Sequence, residues 1–113
     1  MTDTLARLTA TIRARRGADP ASSYVAKLLT GPAERVAQKV GDEAVEAVIA
    51  ATKGDTAGLI SEAADLVFHL AVLLECHDLS LDDVLAELDR REGLSGLTEK
   101  AARSGVEVPK QGD

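Results

Sequence analysis

Four acids fall in two pairs with the same step: Glu43 and Glu46 in "EAVE", Glu62 and Asp65 in "EAAD". On a helix, an i,i+3 step stacks two side chains one turn apart on one face. Each pair can therefore aim two carboxylates at one point, and two such helices side by side can bring four together. Like unit charges about 4 Å apart repel by roughly 4 kcal/mol at an effective dielectric of 20, so carboxylates gathered this way call for protons or a cation. With only oxygen ligands on offer, the cation is a hard one, Mg²⁺ or Mn²⁺, and Mg²⁺ keeps open positions for water or phosphate oxygens. A single glutamate reads as a solvated position on an amphipathic helix. Two pairs embedded in apolar sequence weaken that reading, because unpaired charge is rarely buried.

The elements that position these acids follow from apolar spacing and punctuation. At about 100° per residue, Lys39, Glu43 and Glu46 fall within a sector of about 60°, beside Val36, Val40 and Ala47. The opposite side of the same stretch carries Val45, Val48 and Ile49, so it has no outward polar face for the acids to occupy. Glu62, Asp65 and His69 share a second such sector, bordered by Leu59, Leu66 and Leu73, with Ile60, Val67, Phe68 and Leu74 around the rest. Pro32 opens the first of these helices, which runs to about Lys53, and Gly54 closes it. Asp55 or Thr56 caps the next, which runs to about His77. Joined by so short a connection, the two form an antiparallel hairpin. Around it the sequence predicts a helix from Thr4 to Arg16 with Leu5, Leu8 and Ile12 on one face, and a short one from Ser23 to Leu29 capped by Ser22 or Ser23. A further helix, Leu81 to Arg91, follows a capping box of Ser80 and Asp83. The stretch from Gly93 to Asp113 reads as a tail with one helical turn near Thr98 to Arg103.

Composition agrees with an all-α fold and narrows the partners. The 113 residues suit one domain, 1–113, with a helical core over about 4–92. Apolar residues make up 45% and aromatics 2%, so Ala, Leu and Val carry the packing, as in helical bundles. A net charge of −6 argues against bulk binding to nucleic acid or anionic membrane. The lone Cys76 makes no intrachain disulfide, no signal peptide is evident, and the most apolar stretch, 63–74, is short and interrupted by Asp65 and His69. These features lead to the expectation of a cytoplasmic protein.

At the acids and their surroundings the chain resembles the phosphoribosyl-ATP pyrophosphohydrolase family, within the MazG-like all-α nucleotide pyrophosphohydrolases. "SYVAKLLTGPAERVAQKVGDEAVEAVIAA", Ser23 to Ala51, is similar to that family's S-Y-T-x-x-L followed by G-x-x-x-x-x-x-K-x-G-E-E-x-x-E. "SEAADLVFHLAVLL", "LSLDDVLAELDRR" and "GLSGLTEKAAR" resemble its E-x-x-D-L-x-[FY]-H helix, its closing helix and its tail. Asp42 stands where Glu is usual, Val25 where Thr is common and Asp78 where Gly is common. The resemblance implies a MazG-like helical bundle built on the hairpin and assembled as a homodimer. It implies Mg²⁺-dependent hydrolysis of the α-β phosphoanhydride of phosphoribosyl-ATP, the second step of histidine biosynthesis. Glu43, Glu46, Glu62 and Asp65 carry over as metal ligands and catalytic acids, and Ser23, Tyr24, Lys27 and Lys39 as part of the substrate pocket. Arg35 joins Lys27 and Lys39 as a cation able to meet the substrate's 5′-phosphate. The same resemblance links the chain functionally to phosphoribosyl-AMP cyclohydrolase, which acts on the product.

Other residues read more plainly. His69 is expected to be a core histidine with satisfied hydrogen bonds, and Arg13, Arg15 and Arg16 a solvated helix tip. Tyr24 can stack on a base or merely pack. Cys76 with His69 and His77 makes no zinc site, because adjacent residues diverge by about 100° on a helix. Neither a P-loop nor a Gly-x-Ser-x-Gly elbow is present. Two other functions fit the hairpin: a housekeeping nucleoside triphosphate pyrophosphohydrolase of MazG type, and a non-catalytic helical dimerisation module.

Overall fold

The structure is a computed structural model and describes residues 3–92. Five α-helices and no strand occur among them: α1 (Asp3–Ala14), α2 (Tyr24–Thr30), α3 (Ala33–Thr52), α4 (Thr56–Cys76) and α5 (Leu81–Arg91). The expected tail and its helical turn near 98–103 lie outside the described residues. The chain divides into two compact units, Met1–Leu81 and Asp82–Asp113.

In the first unit, α3 and α4 pack along their length as the hairpin, while α1 and α2 lean on α4 and α2 also meets α3. Both hairpin helices end in the same device. After α3, Gly54 takes φ +72°, its N–H bonds Ala51 O and the next N–H, of Asp55, reaches back to Ala50 O. This Schellman closure satisfies carbonyls that the helix end leaves free. Asp55 then caps α4 by accepting from Gly58 N at 2.9 Å. After α4, Asp78 N bonds Glu75 O and Leu79 N bonds Leu74 O, with Asp78 in the left-handed region at φ +60°. An aspartate tolerates that conformation better than most side chains. A glycine would adopt it without that cost. Ser23 caps α2 by accepting from Ala26 N at 3.1 Å.

The core sits at the open end of the hairpin, where Ile12 of α1, Leu28 of α2, Val36 of α3, Ala71 and Val72 of α4, and Leu81 meet. Leu5 and Leu8 extend the α1 stripe onto it. Ile12, Val36 and Val72 are fully buried, worth about 1.5–3 kcal/mol each by transfer from water. At the other end of the hairpin the apolar side chains are not covered: Val45, Val48, Ile49, Ile60 and Val67 are all exposed, Ile60 at 73%.

Two expectations are corrected here. The tip of α1 is not simply solvated, because Arg13 and Arg16 both hold the carboxylate of Glu75, itself 5% exposed. Arg16 Nε lies 2.6 Å from Glu75 Oε2, its other nitrogen also donates to the Glu75 carbonyl, and Asp78 stands 3.4 Å away. Glu75 occupies the last turn of α4, where the helix dipole disfavours an anion. Burial pushes its carboxyl up, and the hydrogen bonds and charges of Arg16 and Arg13 outweigh that and hold it below the usual carboxylate value. The apolar stretch 63–74 also lies within a helix, α4, that as a whole is long and apolar enough to cross a membrane by length and composition alone, as the core helix of a soluble protein can be. Yet it carries Glu62, Asp65 and Glu75, each costly within a bilayer, and Glu75 is paired to Arg13 of α1.

In the second unit, α5 is laced by its own charges: Glu87 accepts from Arg90 at 2.8 Å and from Arg91 at 3.0 Å. These hydrogen bonds hold the Glu87 carboxyl down at about 2.

Candidate active site

Glu43 and Asp65 stand two helical turns from Val36 and Val72 respectively, seven residues in each case, and therefore on the same side of their helices. The acids thus continue the seam that is fully apolar at the open end of the hairpin. Glu43 is only 14% exposed at its side chain, which sets it apart from a solvated surface glutamate. Carboxylate oxygens of Glu43, Glu62 and Asp65 all lie within 4.8 Å of one another. Burial raises the Glu62 carboxyl above its ordinary value, and a hydrogen bond with Glu43 and the charges of Glu43, Asp65 and Glu46 push the same way. Three oxygen ligands at this spacing match what a hard divalent cation takes from a protein, with its remaining positions left to water or phosphate. Glu46, one turn beyond Glu43, is exposed and stands outside that close set, near enough to add its charge at Glu62.

Lys39 connects the acids to a second feature. Its Nζ lies 3.7 Å from Glu43 Oε2, and its side chain lines a cavity of about 240 Å³ with Tyr24, Lys27, Leu28, Gly31 and Arg35. Three cations with no acid among the lining residues favour an anion, and phosphate geometry suits an arginine and lysines together. The cavity collects Tyr24, Lys27, Arg35 and Lys39 from the sequence-based pocket. Ser23 lines the adjoining cavities instead, one of about 590 Å³ over 20–24 and Lys27, the other of about 330 Å³ with Thr11, Arg15, Ser22, Tyr24, Val25 and Phe68. Tyr24 borders all three.

His69 is a buried histidine with both ring nitrogens bonded, as expected. Sequence reasoning did not find its partner, Tyr24, whose hydroxyl is 2.9 Å from Nε2. A tyrosine and a histidine 45 residues apart carry no local signal of contact. The Glu75 clamp had a fainter one: an acid in the last turn of an apolar helix needs a cation.

Comparison with known proteins decides the family. The profile described as phosphoribosyl-ATP pyrophosphohydrolase matches residues 5–92. The chain belongs to this family. A phosphoribosyl-ATP pyrophosphatase of Rhodobacter capsulatus is 61% identical over 99 residues, 88% of this chain and 96% of that protein. Those of Dinoroseobacter shibae and Erythrobacter litoralis are each 62% identical, over 88% and 89% of this chain and 97% of their own lengths. For a phosphoribosyl-ATP pyrophosphohydrolase, a helical hairpin with an acidic seam beside a basic cavity is a chemically sufficient frame. It offers negative groups to a cation and positive groups to phosphates.

Proposed function

We propose that this chain hydrolyses the α-β phosphoanhydride of phosphoribosyl-ATP, giving phosphoribosyl-AMP and pyrophosphate. The observation that carries the reading is Lys39, which touches the acid cluster at Glu43 and lines the basic cavity at once. A triphosphate spanning the two would meet the acids through a cation and the lysine directly. Glu43, Glu62 and Asp65 would hold the ion, Mg²⁺ or Mn²⁺, with Glu46 near enough to join them. The ion supplies charge neutralisation on the phosphate oxygens and lowers the pKa of water. One of the four acids takes the proton of the attacking water, which requires hydrogen-bond reach to it. Lys39, beside Glu43 and on the wall of the basic cavity, is placed to meet a phosphate oxygen. Lys27 and Arg35 meet the 5′-phosphate, and Ser23 and Tyr24 flank the ribose and base.

Discrimination from ATP then belongs to the basic cavity, because the acids see only cation and phosphate, which all nucleoside triphosphates share. We further propose a single-domain, cytoplasmic homodimer joined through the uncovered faces of α3 and α4, with the product passing to phosphoribosyl-AMP cyclohydrolase. The test is pyrophosphate release from phosphoribosyl-ATP and from ATP, with and without Mg²⁺. Lys27→Ala and Arg35→Ala should each lower the preference for phosphoribosyl-ATP about tenfold to a hundredfold, as expected for one charge-assisted contact, whereas Lys39→Ala should slow both substrates alike. Equal kcat/KM for the two substrates in the unaltered protein would instead assign the chain a general nucleotide-cleaning role.

A further inference from the structure

His69 is neither one of the clustered acids nor among the lining residues of the three cavities described above, yet it touches the machinery of both. Its Nδ1 is 2.8 Å from the backbone oxygen of Asp65. A carbonyl oxygen can only accept, so Nδ1 carries the ring proton and donates it there. Nε2 is then bare, and Tyr24 Oη, 2.9 Å away, donates to it. With the ring neutral, each hydrogen in this chain has one place. Behind Tyr24, the Phe68 ring stacks at 6.2 Å and 15°, while His69 stands edge-on to both rings. One face of Tyr24 is thus backed by aromatic packing and its hydroxyl is tied down, although the residue as a whole is half exposed. Its remaining surface borders all three cavities.

We propose that His69 is a positioning residue: it fixes Tyr24 as the wall against which the substrate's adenine stacks and ties that wall to the turn of α4 that carries Asp65. A rigid aromatic face costs little entropy on stacking with a base, and its value depends on its being held in place. Because the Tyr24 proton is committed to His69, the hydroxyl does not donate to the ribose, and recognition rests on the ring. The inference depends on the reaction proposed above, so its test includes a measurement that needs no turnover.

Tyr24 is the single tyrosine and the chain has no tryptophan, so the intrinsic emission of the protein reports this one ring. In metal-free protein, AMP should quench that emission saturably. His69→Asn keeps a donor toward the Asp65 carbonyl and removes the acceptor for Tyr24; it should weaken AMP binding about tenfold, the scale of one hydrogen bond. His69→Gln, whose amide oxygen reaches the Nε2 position, should restore most of it. With phosphoribosyl-ATP, His69→Asn and Tyr24→Phe should raise KM by a similar factor with kcat nearly unchanged. The double variant should be no worse than either single one, since both break the same bond. A protonated Nε2 in the ring nitrogen NMR spectrum would overturn the inference. So would a His69→Asn protein that melts lower but keeps the unaltered AMP affinity and KM. If His69→Asn does not fold, Tyr24→Phe decides, because it deletes only a hydroxyl and an unchanged KM would refute the proposal. Should phosphoribosyl-ATP not be hydrolysed at all, the AMP titration still judges His69.

Discussion

At the scale of single residues, the two buried or half-buried acids of α4 have opposite electrostatic surroundings. Glu62 sits among other carboxylates and is raised; Glu75 sits between two arginines and is lowered. Neutralising the first should relieve repulsion while removing an oxygen from the cation site. Glu62→Gln is therefore expected to lose at least about a hundredfold in pyrophosphate release, a typical loss when a group acting on developing charge is removed, yet to melt no lower than the unaltered protein. Activity and thermal unfolding on one preparation check it, and full activity would remove Glu62 from the site. Glu75 works the other way. Its folded value lies below that of an unfolded glutamate, so its contribution to stability is complete above the ordinary carboxylate range and is lost as pH falls through the folded value. Glu75→Gln should cost about 1.5 kcal/mol at neutral pH, the low end for lost charge-assisted hydrogen bonds, because the two half-exposed arginines left behind stay solvated. Its urea stability should also fall less than that of the unaltered protein between pH 6 and acid, about the range in which a lowered carboxylate takes up its proton.

At the scale of elements, the hairpin depends on how its helices stop. Gly54 and Asp78 both hold left-handed backbone at equivalent points of a Schellman closure. A Cβ on Gly54 would meet nothing within 4 Å, so Gly54→Ala tests the backbone alone and should cost about 1 kcal/mol. Asp78→Gly should be neutral or stabilising, because relief of the left-handed conformation outweighs an exposed ion pair to Arg16, worth about 0–1 kcal/mol. Chemical denaturation of both variants gives the sign. These termini explain why the helices were legible from sequence: Pro32, Gly54, Asp55 and Ser23 act on their immediate neighbours, and α5 was expected over the very residues it occupies. The i,i+3 acids were legible for the same reason. What depends on the offset between helices was not. The spacing of Glu46 places it on the acidic stripe, whereas its distance from the other three depends on how α3 slides along α4. The Arg16–Glu75 and Tyr24–His69 contacts join residues 59 and 45 positions apart, and no local pattern announces them.

At the scale of the whole molecule, the uncovered valines and isoleucines of α3 and α4 are the largest departure from a self-sufficient fold. Exposed apolar side chains grouped on one helical hairpin fit the homodimer interface proposed above. Ile60→Lys and Val48→Lys should each shift the protein from dimer to monomer in light scattering at micromolar concentration; a monomer in the unaltered protein would refute the homodimer. The Glu75 clamp bears on the order in which the chain becomes ordered. The hairpin closes through only Lys53, Gly54 and Asp55, so its contacts are early and cheap in loop entropy. Arg13 and Arg16 must instead find an acid about sixty residues along, after α4 has formed. The clamp is then expected to close after the rate-limiting step. In stopped-flow kinetics Glu75→Gln should leave the folding rate almost untouched and put its whole cost into faster unfolding.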